Sequence, residues 1–251
     1  SAAVADDGAL LFPNSDFEQG DLTNWTAKDT AFEFQPVTGD GPNVRRKNVE
    51  TRPQGAYWVG TYEKYQGKPD QKPGDIQGNA PQGELLSTGF IIEKPFIGFL
   101  IAGGMTEKTE VQLIVNGALV RSARGVCDSL LRQVFWDVTE FKGEKGAIYI
   151  CDHGKDSWDI ICADNFRAYD AAPDLRLFPN SDFEAGTMEN WTAEGDAFAG
   201  MPVKGDTVTK WAKRHDRSGH AGEYWVGSYE SPVEGGETAL RSADRDNRKG
   251  T

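Results

Sequence analysis

The sequence is poor in cysteine, in basic residues and in long apolar runs, and each shortage argues against a class of protein. It has 3 cysteines in 251 residues, which is too few for a disulfide framework and leaves one thiol unpaired. Its 27 Lys and Arg face 39 Asp and Glu, and the net charge of −12 argues against nucleic acid as a partner. No apolar run approaches the ~18 residues that cross a bilayer, which argues against membrane insertion.

The sequence motifs of common enzyme classes are also missing. There is no G-x-S-x-G, no Walker loop, no H-E-x-x-H and no dinucleotide fingerprint. Carboxylates are abundant, yet no pair of them is marked as a general acid and its base. We therefore predict that the protein is not an enzyme.

An internal repeat organises the chain. The first copy opens with LFPNSDFEQGDLTNW at residue 11 and reaches YWVGTYE at residue 63; the second opens with LFPNSDFEAGTMENW at residue 177 and reaches YWVGSYE at residue 230. The first copy continues to Tyr169, whereas the second stops at Thr251, near the middle of the pattern. We predict an N-terminal arm at 1–9, a complete module at 10–172 and the first half of a homologous module at 173–251.

Short runs of alternating apolar and polar residues predict β-strands. The predicted strands are 56–62, 90–92, 96–102, 111–115, 119–121, 133–138, 147–151 and 160–168. Asn116-Gly117 is typical of a hairpin turn. Only 129–132 and 139–142 look like helical turns, and 64–82 is predicted to be a long functional or mobile loop. The pattern predicts an all-β fold, an antiparallel β-sandwich of jelly-roll type in tandem modules with the second incomplete.

A set of motifs is more specific than the strand pattern. In chain order it reads N-S-D-F-E-x-G-x-x-x-x-W-T, Y-W-V-G-T-Y-E, G-E-L-L-S-T-G-F, F-I-G-F-L-I-A-G-G, V-x-L-I-V-N-G-x-L-V-R-S-A-R-G, F-W-D-V and A-D-N-F-R. Over 10–169 the set resembles the non-catalytic β-sandwich module found beside fructan-cleaving glycoside hydrolases and in algal proteins, one of the galactose-binding-like jelly rolls. The tandem arrangement is also similar to that of diatom pyrenoid shell proteins.

The resemblance implies a structural calcium ion. In calcium-containing jelly rolls, an early Glu and a late Asp meet at one edge of the sandwich and bind Ca²⁺ together with backbone carbonyls. The matching residues here are Glu18 and Asp164, with Asp16 as a further ligand. The alternative is a set of carboxylates that cap a loop without metal. In the second copy, Glu184 has no matching late Asp.

Five of the seven tryptophans carry a prediction, whereas the pattern assigns no role to Trp136 and Trp211. Trp25, Trp58, Trp191 and Trp225 recur at matching positions of the two copies, which predicts core packing. Trp158 instead lies between Asp156 and Asp159, and these three residues are predicted to bind a ligand. The resembling modules carry G-W-G-H-I here, so Asp159 stands where they have a histidine.

Three interpretations of function remain open. In the first, tandem sandwiches form a homo-oligomer or polymer, such as a sheet, tube or pyrenoid shell in the plastid stroma, with assembly contacts from a basic tail of Arg241, Arg245, Arg248 and Lys249. In the second, a secreted protein uses the module to bind a polysaccharide such as a fructan. In the third, the chain is a trimmed piece of a larger extracellular protein.

Overall fold

The computed structural model describes residues 8–171, 178–205, 222–228, 230–233 and 237–240. Contacts divide the chain into two compact units, Ser1–Pro173 and Asp174–Thr251. The basic tail that is predicted to make assembly contacts, Arg241, Arg245, Arg248 and Lys249, lies outside the described residues, so the self-assembly hypothesis stays a prediction. Within the described ranges, no helix has both the length and the apolar character needed to cross a bilayer.

Twelve strands lie within residues 8–171. They are β1 (Ala9–Leu10), β2 (Trp25–Asp29), β3 (Val37–Thr38), β4 (Tyr57–Gly60), β5 (Gly83–Ser87), β6 (Phe90–Ile91), β7 (Phe96–Gly103), β8 (Thr109–Val115), β9 (Ala118–Ala123), β10 (Asp128–Asp137), β11 (Lys145–Asp152) and β12 (Ile161–Tyr169). One short helix, α1 (Gly41–Arg45), and a 3-10 turn at Thr139–Phe141 interrupt them.

Within residues 8–171 the strands form two six-stranded antiparallel sheets. The first has the order β10-β7-β12-β4-β3, with β1 paired to β12. The second has the order β2-β5-β11-β8-β9, with β6 paired to β11. Apolar side chains from both sheets form one core between them. The predicted all-β, antiparallel sandwich is confirmed.

The predicted strands all occur, with small differences at their ends. Asn116 and Gly117 have φ angles of 50° and 83°, as a tight hairpin turn between β8 and β9 requires. The helical turn predicted at 129–132 is wrong, because these residues belong to β10, in which a register shift lies between Asp128 and Arg132 and Arg132 pairs with Ile101 of β7. Leu131 is buried there, so long-range packing overrides the local pattern.

A β-bulge in β12 decides which side chains face the core. Ile161 and Ala163 point into the core between the sheets, and the register shifts between Asp164 and Arg167. Asn165 has a φ of 56° at this point. The shift returns Phe166 to the core and leaves Asp164 beside the loop that precedes β4.

The second unit repeats the first turn of the module, which spans 12–25 in the first unit and 178–191 in the second. Its described strands are β13 (Val203–Lys204), β14 (Tyr224–Trp225), β15 (Glu230–Val233) and β16 (Glu237–Leu240), which form two antiparallel pairs. The Trp25 indole donates to the carbonyl of Asn14 at 3.0 Å, and the Trp191 indole donates to the carbonyl of Asn180 at 2.8 Å. The repeated motif therefore encodes the same local turn in both units.

The burial of these two tryptophans differs. Trp25 is 7% exposed and Trp191 is 38% exposed, so the prediction that Trp191 lies in a core is wrong. In the first unit Phe166 of β12 packs against Trp25 with ring centroids 5.8 Å apart. The described part of the second unit contains no counterpart of β12, which leaves the Trp191 ring open to solvent.

Candidate functional site

A pocket of about 320 Å³ opens on the side of the first sheet that faces away from the core. Cys162 lies at this side because its neighbours in β12, Ile161 and Ala163, face the core. The lining residues are Pro42, Arg45, Arg46, Val49, Tyr62, Glu63, Asn79, Ser129, Ser157, Trp158, Ile160 and Cys162. The pocket thus combines α1, the end of β4, the 64–82 loop, the start of β10 and the turn before β12.

Asp40 fixes one wall of the pocket. Its carboxylate accepts the backbone N–H of Asn43 at 3.1 Å, which caps the N-terminus of α1. The same carboxylate accepts the N–H and the hydroxyl of buried Thr51, both at 2.9 Å. Asp40 therefore ties the start of α1 to Thr51, which follows the helix in the chain. These bonds hold the short helix in place, with Arg45 at the pocket.

A bidentate ion pair crosses the pocket wall. Arg45 donates to the two carboxylate oxygens of Glu63 at 2.5 and 2.6 Å, and to the carbonyl of Gly74 at 3.0 Å. Its guanidinium also lies 5.5 Å from the centroid of the Tyr62 ring. Burial raises the pKa of the Glu63 carboxyl group, and the hydrogen bonds from Arg45 act in the opposite direction. The pair joins α1, the end of β4 and the long loop.

Trp158 enters the pocket from a tight turn. Its φ is 67°, a left-handed conformation that costs a bulky L-residue free energy. The N–H of Ile160 donates to the Trp158 carbonyl at 2.8 Å and closes the turn. The Asp159 carboxylate accepts the N–H groups of Lys155 and Asp156 at 3.2 and 3.1 Å, and thus supports the turn from within.

The predicted ligand residues have different surroundings. Trp158 lines the pocket, whereas Asp156 and Asp159 are not among its lining residues. Both carboxylates accept from the ammonium of Lys108 at 3.2 Å. The Asp156 carbonyl accepts from the side-chain amide of Asn79 at 2.9 Å, which ties the 64–82 loop to this turn.

Sequence reasoning missed most of the pocket. Arg45, Tyr62, Glu63 and Asn79 come from separate segments that only the folded sheets bring together. One signal was available: Asp40-Gly41-Pro42 combines a preferred N-cap residue with a proline in the first turn, a pattern that predicts a helix start.

Two of the three predicted calcium residues, Glu18 and Asp164, bind one loop. The Asp164 carboxylate accepts the N–H of Gln54 at 2.7 Å. Glu18 accepts the N–H of Ala56 at 2.9 and 3.0 Å and that of Tyr57 at 2.8 Å. Asp16 accepts from Arg167 at 3.4 Å. Each carboxylate therefore has a structural role that does not require a metal.

One observation nevertheless fits a cation at this edge. Oδ1 of Asp164 is buried and has no hydrogen-bond partner. Burial raises the pKa of Asp164 well above its ordinary value, and the negative charges of Glu18 and Asp16 raise it further. Across the described ranges, no three His, Cys, Asp or Glu side chains converge as metal ligands. A calcium ion here would therefore need backbone carbonyls as its remaining ligands.

A second buried carboxyl group lies at the end of β11. The hydroxyl of Thr61 donates to Asp152 at 2.5 Å. Burial raises the pKa of Asp152 to about 6, and the Thr61 hydrogen bond acts in the opposite direction. Thr61 also accepts the N–H of Ile161 at 3.0 Å, so Asp152 is linked to the start of β12.

Comparison with known proteins gives one curated relative. No protein-family model matches the chain. Over 99 residues the chain is 36% identical to a protein named "Putative glycosyl hydrolase ecdE" from Aspergillus rugulosus. The match covers 37% of this chain and 14% of the relative, so the chain spans a small part of that protein's length.

Solved structures with similar folds include two carbohydrate-binding modules. One is TmCBM61 in complex with beta-1,4-galactotriose, with a TM-score of 0.42 and 14% identity over 64% of this chain and 97% of that chain. The other is CBM51 from Clostridium perfringens GH95 in complex with methyl-galactose, with a TM-score of 0.24 and 10% identity over 39% of this chain and 76% of that chain. Likeness at this level does not assign a ligand.

Proposed function

We propose that the first unit is a non-catalytic, glycan-binding module and that the pocket beside α1 and Trp158 holds the sugar. The observation that carries this proposal is the meeting of two aromatic rings, Trp158 and Tyr62, with polar side chains in one pocket. Aromatic faces pack against the C–H faces of sugar rings, and a few placed polar groups fix the hydroxyls. The partial match to a glycosyl hydrolase supports a carbohydrate-related setting.

The polar groups of the pocket suit sugar hydroxyls. Asn79 contributes an amide, and Ser129 and Ser157 contribute hydroxyl groups that donate and accept. The volume of about 320 Å³ lies at the lower end of the range for small-molecule pockets, about 300–1,000 Å³. A site of this size would enclose a short part of a chain and leave the rest in solvent.

The lining carboxylate argues for binding rather than catalysis. Glu63 is held at both oxygens by Arg45, which commits the group to an ion pair. Hydrolysis of a glycosidic bond commonly uses two facing carboxyl groups, and Glu63 is the one carboxylate among the lining residues of this pocket.

Calorimetric titration and tryptophan fluorescence with a panel of oligosaccharides would test the proposal. The panel contains a galacto-oligosaccharide, a cello-oligosaccharide and an inulin-type fructan. We expect saturable binding of at least one, which Trp158→Ala abolishes. The matched control is Tyr149→Ala, which removes an aromatic ring of β11 in the other sheet. Equal binding by Trp158→Ala and the unsubstituted protein would refute the site.

We also propose that Ca²⁺ binds the buried oxygen of Asp164, beside Glu18 and Asp16 and apart from the sugar pocket, with backbone carbonyls as its remaining ligands. The unpartnered oxygen of Asp164 supports this proposal. A bound cation would satisfy that oxygen and reduce the repulsion among the three carboxylates.

A further inference from the structure

Two arginines line the pocket, and their surroundings differ. Arg45 is held in an ion pair, because it donates to both oxygens of Glu63 and to the carbonyl of Gly74. The Arg46 guanidinium has no hydrogen bond and no ion pair with any residue in the described part of the chain. An arginine at a pocket wall with all its donors available is a ready partner for an anion.

The charge balance of the pocket points the same way. Its charged lining residues are Arg45, Arg46 and Glu63, and Glu63 neutralises Arg45. Arg46 therefore has no compensating charge among the lining residues, and the Asp40 carboxylate behind this wall already accepts the N–H groups of Asn43 and Thr51. Two acidic neighbours of the site, Asp156 and Asp159, are both engaged by Lys108 at 3.2 Å. A positive charge at a partly enclosed site attracts anions more strongly than one on an open surface.

We propose that the pocket selects a glycan with an anionic substituent, and that Arg46 binds this substituent while the sugar ring packs against Trp158. The substituent is a carboxylate, as in a uronic acid, or a sulfate ester. Both groups carry at least two anionic oxygens, which accept paired hydrogen bonds from the N–H groups of one guanidinium. This inference rests on the proposed glycan-binding function and names the class of sugar.

The position of Arg46 suits a selective contact. It directly follows α1, whose start is fixed by the Asp40 cap, and its own N–H donates to the carbonyl of Pro42 at 2.9 Å. The backbone that carries the guanidinium is thereby held while the side chain stays free to pair. The next residue, Lys47, is also exposed but does not line the pocket. Lys47 therefore offers a charge-matched control only one residue away.

The test is calorimetric titration of the full chain with three forms of one oligosaccharide. These are galactotriose, galactotriose oxidised at C6 to the uronate, and its 6-O-sulfate. We expect at least one anionic form to bind about tenfold more tightly than the neutral form, since hydrogen bonds to charged groups are the stronger ones. The ratio of the two anionic forms distinguishes a uronate site from a sulfate site.

Substitutions then locate the effect. Arg46→Gln is expected to remove the preference, so that the anionic and neutral forms bind this variant with equal affinity. Lys47→Gln should retain the preference, and unfolding temperatures check that both variants fold. Equal affinity for all three forms, or a preference that survives Arg46→Gln, would overturn the inference while the glycan-binding function stands. If the protein binds none of these three forms and no oligosaccharide of the wider panel, both the inference and the glycan-binding function are overturned.

Discussion

Glu18 and Asp164 bind the same short loop although they lie at opposite ends of the first module. Asp164 accepts the N–H of Gln54, and Glu18 accepts those of Ala56 and Tyr57. The two carboxylates thus join the first turn, β12 and the strand β4 that leads to the pocket. In the second unit Glu184 accepts the N–H groups of Glu223 and Tyr224 in the same way.

Gly55 lies in that loop, and its substitution should be costly. Its φ is 77°, and a Cβ atom here would overlap the carboxylate of Glu18. Gly39 has a similar φ of 69° but no atom within 4 Å of an added Cβ. An alanine at Gly39 therefore measures the cost of the left-handed backbone alone. We expect Gly39→Ala to cost about 1 kcal/mol from the left-handed backbone alone, and Gly55→Ala roughly twice that. Urea unfolding measures both; equal costs would show that the contact with Glu18 is unimportant.

Calcium should stabilise the protein through Asp164. At a calcium concentration of about 100 times its Kd, the free energy of unfolding should rise by about 2.7 kcal/mol relative to chelator. Asp164→Asn should lose this response, because the amide removes the charge that binds the cation. Thermal unfolding in calcium, in magnesium and in chelator checks the prediction. If the unsubstituted protein unfolds at the same temperature in calcium and in chelator, the prediction is contradicted.

Asp152 should make stability fall with rising pH. Burial raises its pKa from 3.8 to about 6 in the folded protein, so the unfolded chain loses this proton first. The contribution is fully present below about pH 4 and is lost as the pH rises to about 6, a total of roughly 3 kcal/mol. Urea unfolding should show that Asp152→Asn makes the slope shallower by this amount, while the buried Asp164 carboxyl, whose pKa is also raised, contributes a slope of the same sign to both proteins. Asp70→Asn, a change at an exposed carboxylate of the 64–82 loop, should leave the slope unchanged.

The Trp158 ring is expected to contribute to glycan binding rather than to the stability of the fold. Its φ of 67° suits glycine, so Trp158→Gly removes the backbone strain together with the ring. Trp158→Ala keeps the strain, and we expect it to be about 1 kcal/mol less stable than Trp158→Gly. Both should lose glycan binding. If Trp158→Ala is as stable as Trp158→Gly by urea unfolding, the turn is not strained by the side chain.

Local signals were sufficient for most of the fold. Alternating apolar residues predict the strands because a half-buried strand must place every second side chain in the core. Asn116-Gly117 predicts its hairpin because both positions need a positive φ. Where tertiary pairing opposed the local pattern, as at 129–132 in β10, the prediction failed.

The sequence by itself determined the all-β class, the repeated first turn and the Asn116-Gly117 hairpin, because these follow from backbone preferences and from periodicity over neighbouring residues. Only the tertiary structure decided the pocket, since Arg45, Glu63 and Trp158 belong to separate segments that meet on the outer side of the first sheet. It also decided the different burial of Trp25 and Trp191, whose local turns are the same. Burial depends on which distant strand covers a ring, and no local pattern carries that information.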